Sequence, residues 1–334
     1  MRKAILILVA LLSMSSCSSS QKVDENTPEE SKDMYKNPVI DYSLPDPTIV
    51  QADNGYYYLY ATEDIRNVPI HRSKNLLEWE YVGTAFTENS RPNFEANGGI
   101  WAPDINKIGD KYVLYYSMSV WGGEWTCGIG CAIADEPEGP FVYQGKMIRS
   151  NEINVQNSID PFYIEENNKK YLFWGSFRGI YYIELSDDGL SLKPDAMPRQ
   201  IAGTAYEGTY IHKKDNFYYL FASIGTCCEG LNSTYTTVVG RSDNLFGPYV
   251  NKSGEKMLDN KHEILIQKNN SFVGPGHNSE IVTDNAGNDW IFYHAVSAKN
   301  PEGRVLMMDR IEWKEGWPSV VGKTPSLQSE KPKF

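Results

Sequence analysis

Tyr57-Tyr-Leu-Tyr-Ala-Thr62 is the first of five copies of one short pattern, and this repeat decides the fold. The other copies are Tyr112-Val-Leu-Tyr-Tyr-Ser117, Tyr171-Leu-Phe-Trp-Gly-Ser176, Tyr218-Tyr-Leu-Phe-Ala-Ser223 and Trp290-Ile-Phe-Tyr-His-Ala295. Each copy opens with an aromatic residue, continues with residues that favour β-strands and ends with small or polar residues. Successive copies start 47 to 72 residues apart (218 − 171 and 290 − 218), a period typical of propellers and solenoids.

A polar-led strand precedes each aromatic strand, and a tight turn joins the two. These strands are Pro45-Asp-Pro-Thr-Ile-Val50, Ala102-Pro-Asp-Ile-Asn-Lys107, Ile159-Asp-Pro-Phe-Tyr-Ile164, Glu207-Gly-Thr-Tyr-Ile-His212 and His277-Asn-Ser-Glu-Ile-Val282. A third strand follows, and Gly139-Pro-Phe141 and Gly247-Pro-Tyr249 are predicted to start outer strands. Four strands in each of five repeats predict an all-β, five-bladed β-propeller. A two-sheet sandwich is the alternative, but it does not require one motif five times.

The chain after the N-terminal segment is predicted to form one domain, because no linker interrupts the repeats. We assign residues 37–325 to the propeller and residues 326–334 to a C-terminal tail.

Three of the aromatic strands have an acidic residue eleven positions upstream. These residues are Asp46, Asp160 and Glu207. In a propeller the innermost strands line a central channel, so these acids should meet at one mouth, together with Asp104 and with His277 or Glu280. Clustered carboxylates repel one another and their pKa values diverge, which favours acid/base chemistry or a cation site. For Asp46 or Asp160 alone, a turn residue before proline is the simpler interpretation, but Glu207 has no such role.

Composition and net charge limit the classes of molecule that this protein is expected to bind. The net charge of −11 makes nucleic acids and anionic membrane surfaces poor partners. The 22 Tyr and 8 Trp are compatible with stacking on a neutral sugar, although most aromatic residues must simply fill β-sheets.

The N-terminus has the pattern of a lipoprotein signal peptide, predicted over residues 1–16. Arg2 and Lys3 precede an apolar stretch too short to span a bilayer, and Met14-Ser-Ser-Cys17 resembles a bacterial lipobox. Cys17 is then the lipidated first residue, and the polar segment 17–36 is a disordered tether. The prediction is a protein outside the cytoplasm, anchored to a bacterial membrane, the outer membrane being favoured. An ordinary cleavage site with an incidental cysteine is the alternative.

Four further cysteines leave several pairings open in an oxidising compartment. A bridge between Cys127 and Cys131 is plausible, whereas Cys227 and Cys228 form either a vicinal bridge or two free thiols. A zinc site is disfavoured because no histidine lies nearby at ligand spacing.

Three motifs of this chain resemble the catalytic motifs of glycoside hydrolase family 43, a family of five-bladed propellers. They are Leu44-Pro-Asp-Pro-Thr48, Ser158-Ile-Asp-Pro-Phe162 and Tyr206-Glu-Gly-Thr-Tyr210. Segments similar to the arabinanase branch are Ile100-Trp-Ala-Pro-Asp104, Thr226-Cys-Cys-Glu-Gly-Leu-Asn-Ser-Thr-Tyr235, Val273-Gly-Pro-Gly-His-Asn278 and Arg310-Ile-Glu-Trp-Lys-Glu-Gly-Trp-Pro318. The resemblance covers almost the whole mature chain.

The resemblance implies an inverting hydrolase. Asp46 is then the general base, Glu207 the general acid, and Asp160 the residue that orients Glu207 and tunes its pKa. His277 is implied to help hold one hydrated metal ion, expected to be calcium, with water supplying most of its ligands.

Sugar contacts are predicted at Trp101, Asp104, Ser176 and Phe94. Trp121 and Trp125 lie in a glycine-rich segment that indicates an exposed loop. Arg304 could contact substrate, but an ion pair on an outer strand is the default interpretation.

The predicted function is endo-acting hydrolysis of internal α-1,5-L-arabinofuranosidic bonds in arabinan by a monomeric enzyme. An exo-acting α-L-arabinofuranosidase or β-xylosidase on the same fold is one alternative. A non-catalytic glycan-binding lipoprotein is another, but it predicts a damaged catalytic motif, and all three motifs are intact.

Overall fold

The computed structural model describes residues 33–334. The predicted signal peptide, the lipidated Cys17 and most of the predicted tether lie outside the described residues. No helix among residues 33–334 is long and apolar enough to cross a membrane.

Short strands make up nearly all of the regular structure of residues 33–334. In chain order they are β1 (Met34–Lys36), β2 (Ile40–Ser43), β3 (Thr48–Gln51), β4 (Tyr57–Tyr60), β5 (Pro69–Ser73), β6 (Glu80–Thr84), β7 (Gly99–Ile108), β8 (Lys111–Ser119), β9 (Gly128–Ala134), β10 (Val142–Arg149), β11 (Phe162–Glu166), β12 (Lys169–Trp174), β13 (Ile180–Glu184), β14 (Arg199–Ala202), β15 (Glu207–Lys214), β16 (Phe217–Ile224), β17 (Thr236–Ser242), β18 (Glu263–Ile266), β19 (Phe272–Gly276), β20 (Ile281–Thr283), β21 (Asp289–Ser297), β22 (Val305–Lys314), β23 (Trp317–Ser319) and β24 (Gln328–Glu330). One helical turn, α1 (Ser150–Ile153), follows β10, and 3₁₀ turns lie at Gly230–Asn232, Met257–Asp259 and Val321–Lys323.

The strands form five antiparallel blades, which confirms the predicted five-bladed β-propeller. Blade 1 is β3 to β6, blade 2 is β7 to β10, blade 3 is β11 to β14 and blade 4 is β15 to β18. Blade 5 has the order β19, β21, β22, β2, and β20 continues the inner edge on β21. The first strand of each blade contacts strands of the neighbouring blade, so the polar-led strands are the inner ones.

The last blade is closed by a strand from the start of the domain. Strand β2 pairs with β22, with Ile40 opposite Leu306, and so joins the first and last blades. The sequence analysis did not predict this closure, because four residues carry too little periodicity to assign a partner 260 residues away. Strand β1 pairs with β24, so residues 34–36 of the predicted tether and part of the predicted tail form a two-stranded sheet.

One predicted outer strand is in a different place. Gly139-Pro-Phe141 does lead into the outer strand β10, as predicted. After Gly247-Pro-Tyr249, however, Val250 makes only isolated bridges to Arg241 and Lys256, and the outer strand is β18. The intervening residues fold into a 3₁₀ turn whose Met257 is buried, which postpones the strand.

The aromatic strands form the core, as their pattern predicts. Tyr58, Tyr60, Tyr115, Tyr219 and Tyr293 are among the largest fully buried side chains. They pack between blades, so the repeat that sets the blade count also supplies much of the buried apolar area.

A recurrent hydrogen bond links neighbouring blades at the channel mouth. The polar residue near the end of each aromatic strand faces the first inner-strand residue of the next blade, which has a positive φ. Thr62, Ser117, Ser223 and His294 accept the backbone N–H of Ala102, Asp160, His277 and Asp46, respectively, at 2.7 to 3.1 Å. We call these bonds the interblade latches.

Deeper in the channel a second set of bonds joins four of the five blade pairs. Thr48 accepts the N–H of Ile105, Asp104 that of Tyr163, Tyr210 that of Ile281, and Glu280 that of Ile49. Asp104 is therefore a buried residue of the junction between blades 2 and 3. Burial and the charge of Glu280 raise the pKa of Asp104 well above its usual range.

The cysteines follow one of the open alternatives. Cys227 and Cys228 form a vicinal disulfide. Cys127 and Cys131 are free and buried, so the bridge considered between them is absent. Cys131 lies within the extended strand β9 and Cys127 directly precedes it, so the four-residue separation between them spans about 13 Å, far more than a disulfide allows.

Candidate active site

The three predicted catalytic carboxyls line one cavity at the channel mouth, with a volume of about 540 Å³. Asp46 and Asp160 are themselves the positive-φ residues that lead into the inner strands of blades 1 and 3, with φ of 55° and 61°. Glu207 directly precedes the corresponding residue of blade 4, Gly208. A positive φ is unusual outside glycine, although Asp tolerates it, and such strain concentrates at functional sites. The local turn therefore aims each carboxyl into the cavity instead of along the strand.

Asp46 lies beside one guanidinium, two histidine rings and a hydroxyl. Arg304 Nη1 and His294 Nδ1 each lie 3.1 Å from Asp46 Oδ1, and His277 Nδ1 lies 3.4 Å from it. The hydroxyl of Thr62 donates to Oδ2 at 2.6 Å. Burial alone would raise the pKa of Asp46, but Arg304, His277 and His294 outweigh burial and hold that pKa well below its usual range. Asp46 is therefore ionised.

Glu207 has the opposite protonation preference. Burial, reinforced by the charge of Asp46, raises the pKa of Glu207 to about 7, although hydrogen bonds from Ser176 and Tyr235 work against the shift. The Ser176 hydroxyl donates to Oε2 at 2.6 Å. At neutral pH and below, Glu207 therefore holds a proton that it can give away.

Asp160 contacts the backbone beside Glu207. Its Oδ2 accepts the N–H of Gly208 at 3.1 Å. Burial and the charges of Glu207 and Asp46 raise the pKa of Asp160 well above its usual range. Gly208 has a φ of +62°, and a Cβ there would stand 3.1 Å from the ring of His277, so the position requires glycine. Asp160 thus binds the peptide group that follows Glu207.

His277 also lines the cavity, and burial lowers its pKa. Within residues 33–334 no group of three or more His, Cys, Asp or Glu side chains is arranged to hold a metal. The adjacent Asn278 Oδ1 is a buried acceptor with no hydrogen-bond partner. Such an oxygen is usually satisfied by water or an ion, although Asn278 itself is not among the residues that line the cavity.

The cavity wall includes aromatic and sulfur groups suited to a sugar ring. Trp101, Trp121 and the Cys227–Cys228 disulfide line it. Trp121 is 83% exposed, which leaves its ring face free for stacking. Trp125, half exposed, is not among the lining residues.

Two predicted sugar contacts do not line the cavity. Asp104 turns into the blade junction described above. Phe94 packs on Tyr116, with ring centroids 6.5 Å apart, at the edge of a hydrophobic cluster. Trp101 and Ser176 do line the cavity, and Ser176 contacts Glu207 there.

The sequence analysis did not assign three residues to this site: Arg304, His294 and Tyr235. Arg304 pairs with Asp46 instead of forming the outer-strand ion pair assumed by default. His294 is a fully buried latch residue whose pKa is lowered by burial to about 4, and its ring stacks on Tyr235 at 5.6 Å. The only available signals were the histidine in the fifth aromatic strand and the tyrosine that ends the Cys-Cys segment.

One ionised and one protonated carboxyl in an aromatic-walled cavity are the apparatus of glycoside hydrolysis. The fold and the site together therefore define the class of this protein as a glycoside hydrolase.

Comparison with known proteins agrees with this class. The family model for glycosyl hydrolases family 43 matches residues 35–318. The chain belongs to this family.

The relatives include both an endo-acting and an exo-acting enzyme. The chain is 34% identical over 292 residues to the extracellular endo-α-(1→5)-L-arabinanase 1 of Bacillus subtilis, covering 83% of this chain and 87% of the relative. It is 32% identical over 307 residues to the extracellular exo-α-(1→5)-L-arabinofuranosidase ArbA of Cellvibrio japonicus, covering 82% and 86%. The structure of Cellvibrio cellulosa α-L-arabinanase complexed with arabinohexaose is similar, with a TM-score of 0.76, 30% identity and coverage of 83% and 95%.

Proposed function

We propose that this protein is an inverting endo-arabinanase that cleaves internal α-1,5-L-arabinofuranosidic bonds of arabinan. The observation that carries the proposal is the meeting of Asp46, Asp160 and Glu207 in one cavity, where Asp46 pairs with Arg304 and Glu207 accepts from Ser176. The endo-arabinanase similar over 83% of the chain supports the substrate.

In the proposed reaction, Asp46 accepts a proton from a water molecule while the water oxygen attacks the anomeric carbon. Glu207 donates its proton to the departing glycosidic oxygen as the carbon–oxygen bond breaks. Arg304 keeps Asp46 ionised, and Asp160 holds the Gly208 peptide. The new bond forms on the face opposite the leaving group, so the anomeric configuration inverts.

An exo-acting enzyme is the second candidate, supported by the exo-acting relative at 32% identity. Linear debranched arabinan separates the two, with products followed from the first minutes. Endo action yields a ladder of oligosaccharides, whereas exo action yields small products alone from the start. No release at all would leave only glycan binding.

Inversion has its own measurement. NMR of freshly released products should show the β-anomer first, before mutarotation. Initial retention would contradict Asp46 as a base that activates water.

We also propose one hydrated metal ion, calcium by preference, held by His277 with water as its remaining ligands. Such an ion would offset the negative charge of the neighbouring carboxylates. Metal analysis of the purified protein should find about one calcium, and calcium should raise the Tm of the chelated protein. His277→Ala should lose both effects, and an unchanged metal content in that variant would refute the assignment.

We propose further that the protein works outside the cytoplasm as a monomer, tethered by lipid on Cys17. The two relatives described above are extracellular enzymes, and the N-terminal sequence has the lipobox pattern.

A further inference from the structure

Four of the five blade junctions have an interblade latch, and at the fifth a different residue accepts the corresponding backbone N–H. At the junction of blades 3 and 4, the N–H of Gly208 occupies the position that is latched elsewhere. The residue positioned to accept it is Ser176, which ends the third aromatic strand as Thr62 ends the first. Gly208 instead donates to the carboxylate of Asp160 at 3.1 Å. Asp160 has therefore taken over the structural bond of this junction.

The exchange leaves the acceptor site of the Ser176 hydroxyl oxygen open to another donor. Asn157 Nδ2 donates to Ser176 Oγ at 3.0 Å, and the same amide donates to the Ser176 carbonyl at 3.0 Å. Because the lone pairs of Oγ accept from Asn157, its proton points at Glu207 Oε2, 2.6 Å away. The serine is 2% exposed, so water does not compete for either bond.

We propose that Ser176 is a positioning residue for the general acid: its hydroxyl donates to the Glu207 carboxyl, as the Thr62 hydroxyl donates to Asp46, and Asn157, in place of a latch N–H, fixes its direction. This inference rests on the proposed function, in which Glu207 is the acid. It gives Ser176 a role other than the predicted sugar contact.

Loss of the hydrogen bond between Ser176 and Glu207 should shift the pKa of Glu207 in a direction that a pH profile can measure. A hydroxyl that donates to Glu207 favours the ionised carboxylate, so its loss raises the pKa of Glu207. The other groups that act on this carboxyl are Asp46, Asp160, Arg304 and Tyr235, and none is changed by substitution of Ser176.

The test compares Ser176→Ala with Ser176→Thr and Ser223→Ala, using kcat and KM on debranched arabinan from pH 4 to 9. Ser223 is the matched control because it forms the ordinary latch, to His277, at the next junction. Threonine keeps the hydroxyl, and Thr62 shows that the equivalent position accepts it. Ser176→Ala should lower kcat about 10- to 100-fold with KM nearly unchanged and move the alkaline limb to higher pH. Ser176→Thr should restore both, and Ser223→Ala should leave the limb in place.

Three outcomes would overturn the inference. One is an alkaline limb unmoved in Ser176→Ala, a second is a raised KM with kcat kept, as for a sugar contact, and a third is equal behaviour of Ser176→Ala and Ser223→Ala. Should Ser176→Ala fail to fold, Asn157→Ala keeps the serine and should lower kcat, and an unaltered kcat there would count equally against the idea. Glu207→Ala separates the two proposals, because activity retained in that variant refutes the acid itself.

Discussion

Asp46 and Glu207 are both buried carboxyls, yet their surroundings give them opposite charge states. Burial disfavours the ionised form of each. At Asp46 the guanidinium of Arg304 and two imidazoles outweigh burial, whereas Glu207 receives only two hydroxyl hydrogen bonds and faces the charge of Asp46. The proposed base and the proposed acid are thus distinguished by their neighbours and not by residue type.

At the residue scale, this contrast predicts the pH dependence of kcat/KM. Glu207 must be protonated, and its pKa of about 7 lies above its usual value, so activity should fall as pH rises through about 7. Asp46 must be ionised, and its lowered pKa keeps it so until the pH is well below the usual aspartate range. A steady-state profile on debranched arabinan checks both limbs, and activity that climbs above pH 8 would contradict the acid assignment.

Replacement of either group should abolish turnover. Glu207→Ala and Asp46→Ala should each lose at least 100-fold in kcat/KM, because general acid or base catalysis contributes about 10²- to 10⁴-fold. Circular dichroism and thermal unfolding serve as controls for folding. Near-normal hydrolysis by either variant would exclude that residue from the role given to it.

At the scale of elements, strand β2 carries the closure of the propeller. Asn37, just before it, accepts the N–H of Met308 at 3.0 Å and donates to the Met308 carbonyl at 2.8 Å. This side chain therefore completes the edge of β22 where β2 begins. Because the closure joins the ends of the domain, its loss should reduce the stability of the whole ring.

Asn37→Ala should lower the free energy of unfolding by about 1–3 kcal/mol, because the buried N–H of Met308 loses its acceptor, whereas the Met308 carbonyl keeps the Tyr35 hydroxyl. Urea denaturation measures the change. Asp41→Ala is the matched control, since Asp41 is exposed on β2, and it should shift the free energy of unfolding by less than about 0.5 kcal/mol. Equal effects of the two substitutions would show that the Asn37 bonds do not stabilise the closure.

At the scale of the whole molecule, the propeller brings together five segments that are far apart in sequence. The latches join neighbouring blades at four junctions, and two of the positive-φ residues that they hold, Asp46 and Asp160, line one cavity together with Glu207. The interblade bonds and the proposed active site therefore share residues. The proposed anchor at Cys17 lies outside the described residues and should affect only location.

Cys17→Ala should move the protein from the membrane fraction to the soluble fraction with kcat/KM unchanged. Fractionation of cells, with and without detergent, followed by assay on arabinan, measures both properties. A variant that stays with the membrane in the absence of detergent would refute lipid anchoring through this cysteine.

The sequence alone determined the blade count and the three carboxyls. A propeller repeats one local pattern, so the aromatic strands and the acids before them can be recognised in the sequence without knowing which strands they pair with. The fifth repeat was aligned less well, because its latch residue, His294, is the fifth residue of its aromatic motif, whereas Ser117 is the sixth residue of its motif. The strand pairing shows that the two are equivalent, since His294 lies opposite Gly276 as Ser117 lies opposite Trp101.

Tertiary structure alone decided the charge states and the supporting contacts. Arg304 lies 258 residues from Asp46, and no local pattern indicates that the two meet. The junction role of Asp104 and the contact of Ser176 with Glu207 likewise depend on which blade lies next to which. A pKa and a hydrogen bond are properties of neighbours in space, and in a closed ring those neighbours come from the rest of the chain.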